Sequence, residues 1–199
     1  MKDNLSENFS QRQGEALVKL ARYTLMEKFG LIAEKTFFQL LDRLNKDKEL
    51  KAKAGTFVTL KINGMLRGCI GSLVAEESVI EGVRHNAINA AFNDPRFPAL
   101  AAKELDEVEI EVSILSKPLP LEYVNSDDLQ YKLRVNVDGV IIQKSMHSAT
   151  YLPQVWEQIT SPVDFLSSLC VKAGLSANAW QTEKLKVLTY QVQYFEEKI

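Results

Sequence analysis

The sequence predicts an α+β fold, a mainly antiparallel sheet flanked by helices. Three observations carry that expectation. Asn63-Gly64 sits between two apolar runs, the strongest short-range hairpin signal a sequence offers. Val108, Ile110, Val112 and Ile114 alternate with Glu109, Glu111 and Ser113, the period-two pattern of a half-buried strand. Helical stripes of period 3.6 are intermixed with these strands rather than alternating regularly with them, which favours α+β over a parallel βαβ array.

Taken in order, residues 1–9 read as a flexible N-terminus. Ser10 and Gln13 then form a capping box for a helix running to about Phe29, with Leu17, Leu20, Ala21 and Thr24 on one face and Gly30 as terminator. A second helix over 36–45 buries Phe37, Leu40, Leu41 and Leu44. The charged stretch from Lys46 to Lys53 is broken by Asp47 and Glu49 and reads as solvated chain. Glu77 to Asn93 shows the stripe Ile80, Val83, Ala87 and Ala91, and Asp94-Pro95 stops that helix. A short helical turn over 99–103 precedes the alternating strand, which ends at Pro118 and Pro120. Ser126 is expected to cap a short helix, and Asp138-Gly139 to turn a second hairpin joining Leu133–Val137 to Val140–Gln143. Leu152-Pro153-Gln154-Val155-Trp156 opens a short helix on its proline. Ser161 caps another that runs to Gly174, with Val163, Leu166 and Leu169 inward and Cys170 in the core. Leu185 to Phe195 reads as one strand with Leu188, Tyr190, Val192 and Tyr194 inward. No internal repeat or linker marks a domain boundary, so residues 1–199 read as a single domain.

Composition excludes several classes. Hydrophobic residues at 46% and charged ones at 25% suit a globular chain able to bury a large core. A net charge of −2 argues against bulk duplex DNA binding through phosphates. Two distant cysteines make neither a disulfide framework nor a zinc motif, and with only two histidines no metal or cofactor is expected. No run approaches the roughly 18 apolar residues of a membrane span, so no membrane association is expected and the cytoplasm is the expected location.

The functional candidate is Leu66-Arg67-Gly68-Cys69-Ile70-Gly71. It joins a guanidinium, a thiol and two glycines that permit close backbone approach. The hairpin register decides where Cys69 points, because a one-residue slip exchanges the faces of a strand. A two-residue Asn63-Gly64 turn places Arg67 and Cys69 opposite Leu60 and Val58, on an apolar face. A three-residue loop over Ile62-Asn63-Gly64 pairs Lys61 with Met65 and places them with Thr59 and Phe57. The second separates polar from apolar more cleanly and is the preferred reading.

LRGCIGSL, AINAAFNDPRFPAL, EVEIEVSILSKP, VDGVII, YLPQVWEQI and LCVKAGLSANAW, in that order from about Phe57 onward, resemble the AMMECR-domain family, also called AmmeMemoRadiSam system protein A. That resemblance implies a compact α/β structure with a larger sheet-and-helix lobe and a smaller lobe. It also implies a functional site at Leu66–Gly71 and a place beside a radical-SAM protein and a Memo-like protein in a modification pathway. The chain departs from the family where Lys144-Ser145-Met146-His147-Ser148 replaces a turn that commonly carries glycine.

Two functional classes follow. In the first, an enzyme or its substrate-handling partner uses Cys69 as nucleophile and Arg67 as its catalytic partner, binding an anionic small molecule and raising the thiolate fraction of Cys69, while N–H groups near Gly71 stabilise a developing oxyanion and Gly68, Gly71, Asp94, Arg96 and Gln154 line the pocket. In the second, the chain is a non-catalytic module that recognises a protein or RNA segment. Each residue also has a plain structural role open to it: Cys69 as core, Arg67 paired with a structural acid, Asp94 and Arg96 as a helix-ending ion pair, Gln154 beside a core Trp156, and His85 and His147 on the surface.

Overall fold

The computed structural model describes residues 9–197. The expected flexible segment 1–9 therefore falls outside the described residues except for Phe9. That residue is 7% exposed, and its main chain is bonded in both directions to the Gln193 side chain.

The chain folds as two compact units, one of residues 9–116 with 193–197 and one of residues 117–192. The first contains α1 (Gln11–Lys28), α2 (Glu34–Leu44), β1 (Gly55–Ile62), β2 (Met65–Ser72), α3 (Val79–Phe92), β3 (Val108–Leu115) and the closing strand β8 (Val192–Glu196). Its sheet has the order β2-β1-β3-β8, and β1 pairs antiparallel with both β2 and β3. The expected capping box is present: the Gln13 N–H donates to Ser10 Oγ, and the Gln13 side chain returns to the Ser10 N–H. Helices α1 and α3 bury Leu17, Leu20, Val83 and Ala87 against Val58 and Leu60 of the central strand. The opposite sheet face carries Phe57, Thr59 and Cys69, all half-buried.

The second unit contains β4 (Leu119–Pro120), α4 (Ser126–Lys132), β5 (Gly139–Lys144), β6 (His147–Tyr151), α5 (Pro162–Lys172), α6 (Ala179–Thr182) and β7 (Lys186–Tyr190). Its own sheet runs β4-β7-β5-β6. The core centres on Trp156, stacked on Phe165 with ring centroids 3.7 Å apart. Burial of the indole is tolerated because its N–H donates to the Asp138 carbonyl at 2.8 Å. The α+β class with antiparallel pairing is as expected, although the strands divide into two sheets.

Four local expectations are corrected. Asn125, not Ser126, caps α4, its side chain accepting from the Asp128 N–H at 2.9 Å. Asp138-Gly139 is not a hairpin turn. The nearly buried Asp138 carboxylate accepts from both the main chain and the guanidinium of Arg134, closing residues 134–138 into a turn with Asn136 at φ 64°. The second hairpin lies at Ser145-Met146, where Lys144 pairs with His147. Ser145 takes the left-handed conformation, φ 52°. Leu185–Phe195 is two strands, because the chain changes sheets at Gln191 and the alternation restarts there. Tyr190 is buried as expected, but so are Leu185, Val187 and Phe195, while Leu188 and Val192 are half-buried and Tyr194 is 58% exposed; Val163 of α5 is exposed and Phe165 takes the core position.

Candidate functional site

The hairpin carrying Cys69 combines parts of both registers weighed from sequence. Asn63 and Gly64 have φ of 52° and 72°, the paired left-handed conformation of a two-residue turn, so Ile62 pairs with Met65 and the three-residue loop is corrected. Lys61 then pairs with Leu66 but Leu60 pairs with Gly68, which leaves Arg67 as the extra residue of a β-bulge. That bulge shifts the register by one. Beyond it Cys69 pairs with Thr59 and Gly71 with Phe57, so Cys69 reaches the Thr59 and Phe57 face by a different route. Gly68 points the other way, at α3, where a Cβ would stand 2.1 Å from the Ala90 carbonyl oxygen.

The bulge aims Arg67 along the sheet edge. Its Nε and Nη2 donate to the two carboxylate oxygens of Glu104 at 2.8 and 3.1 Å, and Nη1 donates to the Pro98 carbonyl at 3.0 Å. Arg67's hydrogen bonds, then the Ala101 N–H, hold the Glu104 carboxyl below its ordinary range against the opposing effect of burial.

Strand β2 is the outer strand, so the N–H and C=O of Cys69 point away from β1. Both are taken by the chain that follows α3. The Cys69 N–H donates to Asp94 Oδ2 at 2.9 Å, and the Cys69 carbonyl accepts from Arg96 Nη2 at 3.0 Å. Arg96 is itself forked onto Asp94, with Nε–Oδ1 of 2.9 Å and Nη2–Oδ2 of 2.7 Å. The Asp94 side chain is 2% exposed, whereas that of Arg96 is 54% exposed. The Arg96 hydrogen bonds hold the Asp94 carboxyl well below the usual carboxylate range; burial opposes this, and the Cys69 and Arg96 N–H groups reinforce it. Arg96 is raised in turn, mainly by Asp94 and to a lesser degree by the nearby Cys69.

On the sheet face, Thr59 Oγ1 donates to Cys69 Sγ at 3.2 Å. Thr59 pairs on its other side with Glu111 of β3, so Cys69, Thr59 and Glu111 form one row across three strands. Neighbouring strands lie about 4.8 Å apart, which sets the Glu111 backbone roughly 10 Å from that of Cys69. Glu111 bonds Lys61 Nζ at 2.9 Å, and that contact is the main cause of the raised Lys61 pKa. The arrangement offers a thiol with a hydroxyl donor at its sulfur, a half-exposed guanidinium behind its carbonyl, and a more distant carboxylate held by an ammonium.

Of the residues singled out from sequence, Cys69, Asp94 and Arg96 are in direct contact. Arg67 is committed to Glu104, Gly68 faces α3, and the Phe57 ring fills the space beside Gly71. Gln154 is exposed on the 3-10 turn Pro153–Glu157 of the second unit. Cys170 is fully buried, and burial pushes its pKa up. His85 bonds Glu77, and His147 bonds the Ala173 carbonyl. Among the described residues, no three His, Cys, Asp or Glu side chains are grouped to hold a metal, and no helix is long and apolar enough to cross a membrane. Sequence reasoning missed the roles of Glu104 and Glu111. The alternation of the Val108–Ile114 strand fixes the face of Glu111, but nothing in the sequence pairs Glu104 with Arg67.

Fold and site together define an α+β protein with two antiparallel sheets and a glycine-flanked edge cysteine. The family model described as AMMECR1 matches residues 18–195, and the chain belongs to that family. It is 37% identical to a protein of Methanothermobacter thermautotrophicus over 94% of this chain and 96% of that one. It is 35% identical to protein MK0488 of Methanopyrus kandleri over 98% and 93%. The crystal structure of uncharacterized protein PH0010 from Pyrococcus horikoshii is similar, with a TM-score of 0.78 and 33% identity over 96% of this chain and 94% of that one.

Proposed function

We propose that the chain handles its substrate through the Cys69 thiol, as an enzyme or substrate-handling partner in a modification pathway with a radical-SAM protein and a Memo-like protein. The pathway rests on the resemblance of the LRGCIG, DPRF and LPQVW segments. The role of the thiol rests on one observation: a nearly buried carboxylate and its arginine hold both main-chain polar groups of Cys69. An outer strand ordinarily leaves such groups to water or to an added strand. Here they are fixed, which aims the side chain and closes that point of the edge to an incoming peptide strand, the simplest docking mode for a binding module. In this reading Cys69 reacts, Thr59 stabilises charge at sulfur, Arg96 attracts an anionic group, and Asp94 and Arg67 position the strand.

Alkylation with iodoacetamide at neutral pH, followed by peptide mapping, tests the assignment. Cys69 should label at least about tenfold faster than Cys170, whose thiol is shielded. Arg96→Ala should slow labelling of Cys69 and leave Cys170 unchanged. Equally slow labelling of both cysteines, unaffected by Arg96→Ala, would make Cys69 a packing residue and remove the support for thiol chemistry.

A further inference from the structure

A second site lies on the other face of β2. Ser72 shares the face of Gly68 and Ile70, and a cleft of about 230 Å³ opens where the end of β2 and β1 meet α3. Thr56, Ser72, Glu76, Glu77, His85 and Asn86 are among its lining residues. Close approach of the helix depends on Gly82, where a Cβ would stand 2.5 Å from Thr56 Oγ1.

Asn86 is 7% exposed and donates through Nδ2 to the Thr56 carbonyl at 3.0 Å and to Thr56 Oγ1 at 2.9 Å. A carbonyl can only accept, so the amide orientation is fixed by chemistry. Both Nδ2 hydrogens are thereby used. Among the described residues no hydrogen bond engages Asn86 Oδ1, an open acceptor on a side chain that is itself 7% exposed and lines the cleft. His85 Nδ1 lies 3.0 and 2.9 Å from the two carboxylate oxygens of Glu77. An ionised carboxylate only accepts, so Nδ1 carries the hydrogen and the tautomer this fixes has Nε2 as a further acceptor. Glu76 and Glu77 add two carboxylates. The cleft therefore presents acceptors of three kinds and net negative charge.

We infer that this cleft binds a guanidinium group, either of a free small guanidine or of an arginine side chain. Guanidinium matches the wall as a planar cation with five N–H donors and no acceptor. A carboxylate or phosphate would meet the like charge of Glu76 and Glu77.

The test is a titration of the full ¹⁵N-labelled chain at pH 8, reading the Asn86 side-chain amide and the α3 backbone. Agmatine and the peptide Gly-Arg-Gly amide represent the two sources, and 1-butylurea serves as an uncharged analogue. At least one guanidinium ligand should give saturable shifts, and the tighter of the two identifies the source; butylurea should give none. Glu77→Gln, an exposed change that spares the core, should weaken binding by about fivefold or more, the size expected for loss of one partly exposed charge contact. Absence of saturable shifts with both guanidinium ligands overturns the site. So does an equal response to butylurea, or binding unchanged by Glu77→Gln.

Discussion

Asp94 illustrates how one side chain can serve a fold and a site together. Its carboxylate satisfies the outward N–H of Cys69 and neutralises Arg96, and both roles need the ionised form. Asp94→Ala leaves the Cys69 N–H and the guanidinium without that partner, and should destabilise the protein by about 2–3 kcal/mol. The pH dependence has a definite sign. A carboxyl whose folded pKa is depressed makes the unfolded state bind more protons, so its contribution is complete above the ordinary aspartate pKa of about 3.9 and fades as pH falls below it. The stability gap between wild type and Asp94→Ala, measured by urea unfolding, should be constant above about pH 5 and shrink below pH 4. An undiminished gap at pH 3 would show that the ion pair contributes little.

At the scale of elements, the sequence was legible where a local rule and the tertiary fold agree. The Ser10 capping box, the presence of a hairpin at Asn63-Gly64 (though not its two-residue turn) and the small-residue stripe of α3 each needed only neighbours within a turn or two. The Arg67 bulge was not legible, because its cause is remote: Gly68 must lie against the Ala90 carbonyl, and the register before the bulge would send a different residue there. Asp138-Gly139 misled for a related reason. Its carboxylate had a partner four residues earlier in Arg134, and that closed turn outweighed the hairpin preference of the dipeptide. The same geometry gives a graded test on three glycines. Gly64→Ala meets no atom within 4 Å and should cost only the left-handed strain, about 1–2 kcal/mol. Gly68→Ala should cost more, about 3 kcal/mol or beyond, because β2 must leave α3. Ala90→Gly should not rescue it, since the clash is with a main-chain oxygen that the second change leaves in place. Gly71→Ala should fall between, because the Phe57 ring can turn aside while the Thr56 carbonyl at 2.4 Å cannot. Midpoints of chemical denaturation rank the three, and a rescue by Ala90→Gly would show that the contact is misassigned.

For the whole molecule, the main feature is that the larger unit is discontinuous in sequence. Its fourth strand, β8, arrives after the 117–192 unit has been completed, and brings Phe195 onto Gly14 and Glu197 onto Arg22. Phe195→Ala should open a cavity beneath α1 and cost about 3–5 kcal/mol. Hydrogen exchange should then accelerate first in α1 and β3, the elements beside β8. Both tryptophans lie within 117–192, so indole fluorescence should retain its native position under conditions where those amides already exchange. A red-shifted indole at the same denaturant concentration would place the damage elsewhere. The discontinuity also sets a timetable for synthesis. Contacts such as Phe9 with Gln193 span 184 positions, so a chain emerging from the ribosome can complete the later, smaller unit while the earlier, larger one waits for its closing strand. The half of the molecule that carries Cys69 is begun first and finished last. A chain cut just before β8 would hold one sealed core and one that quality-control proteases can open.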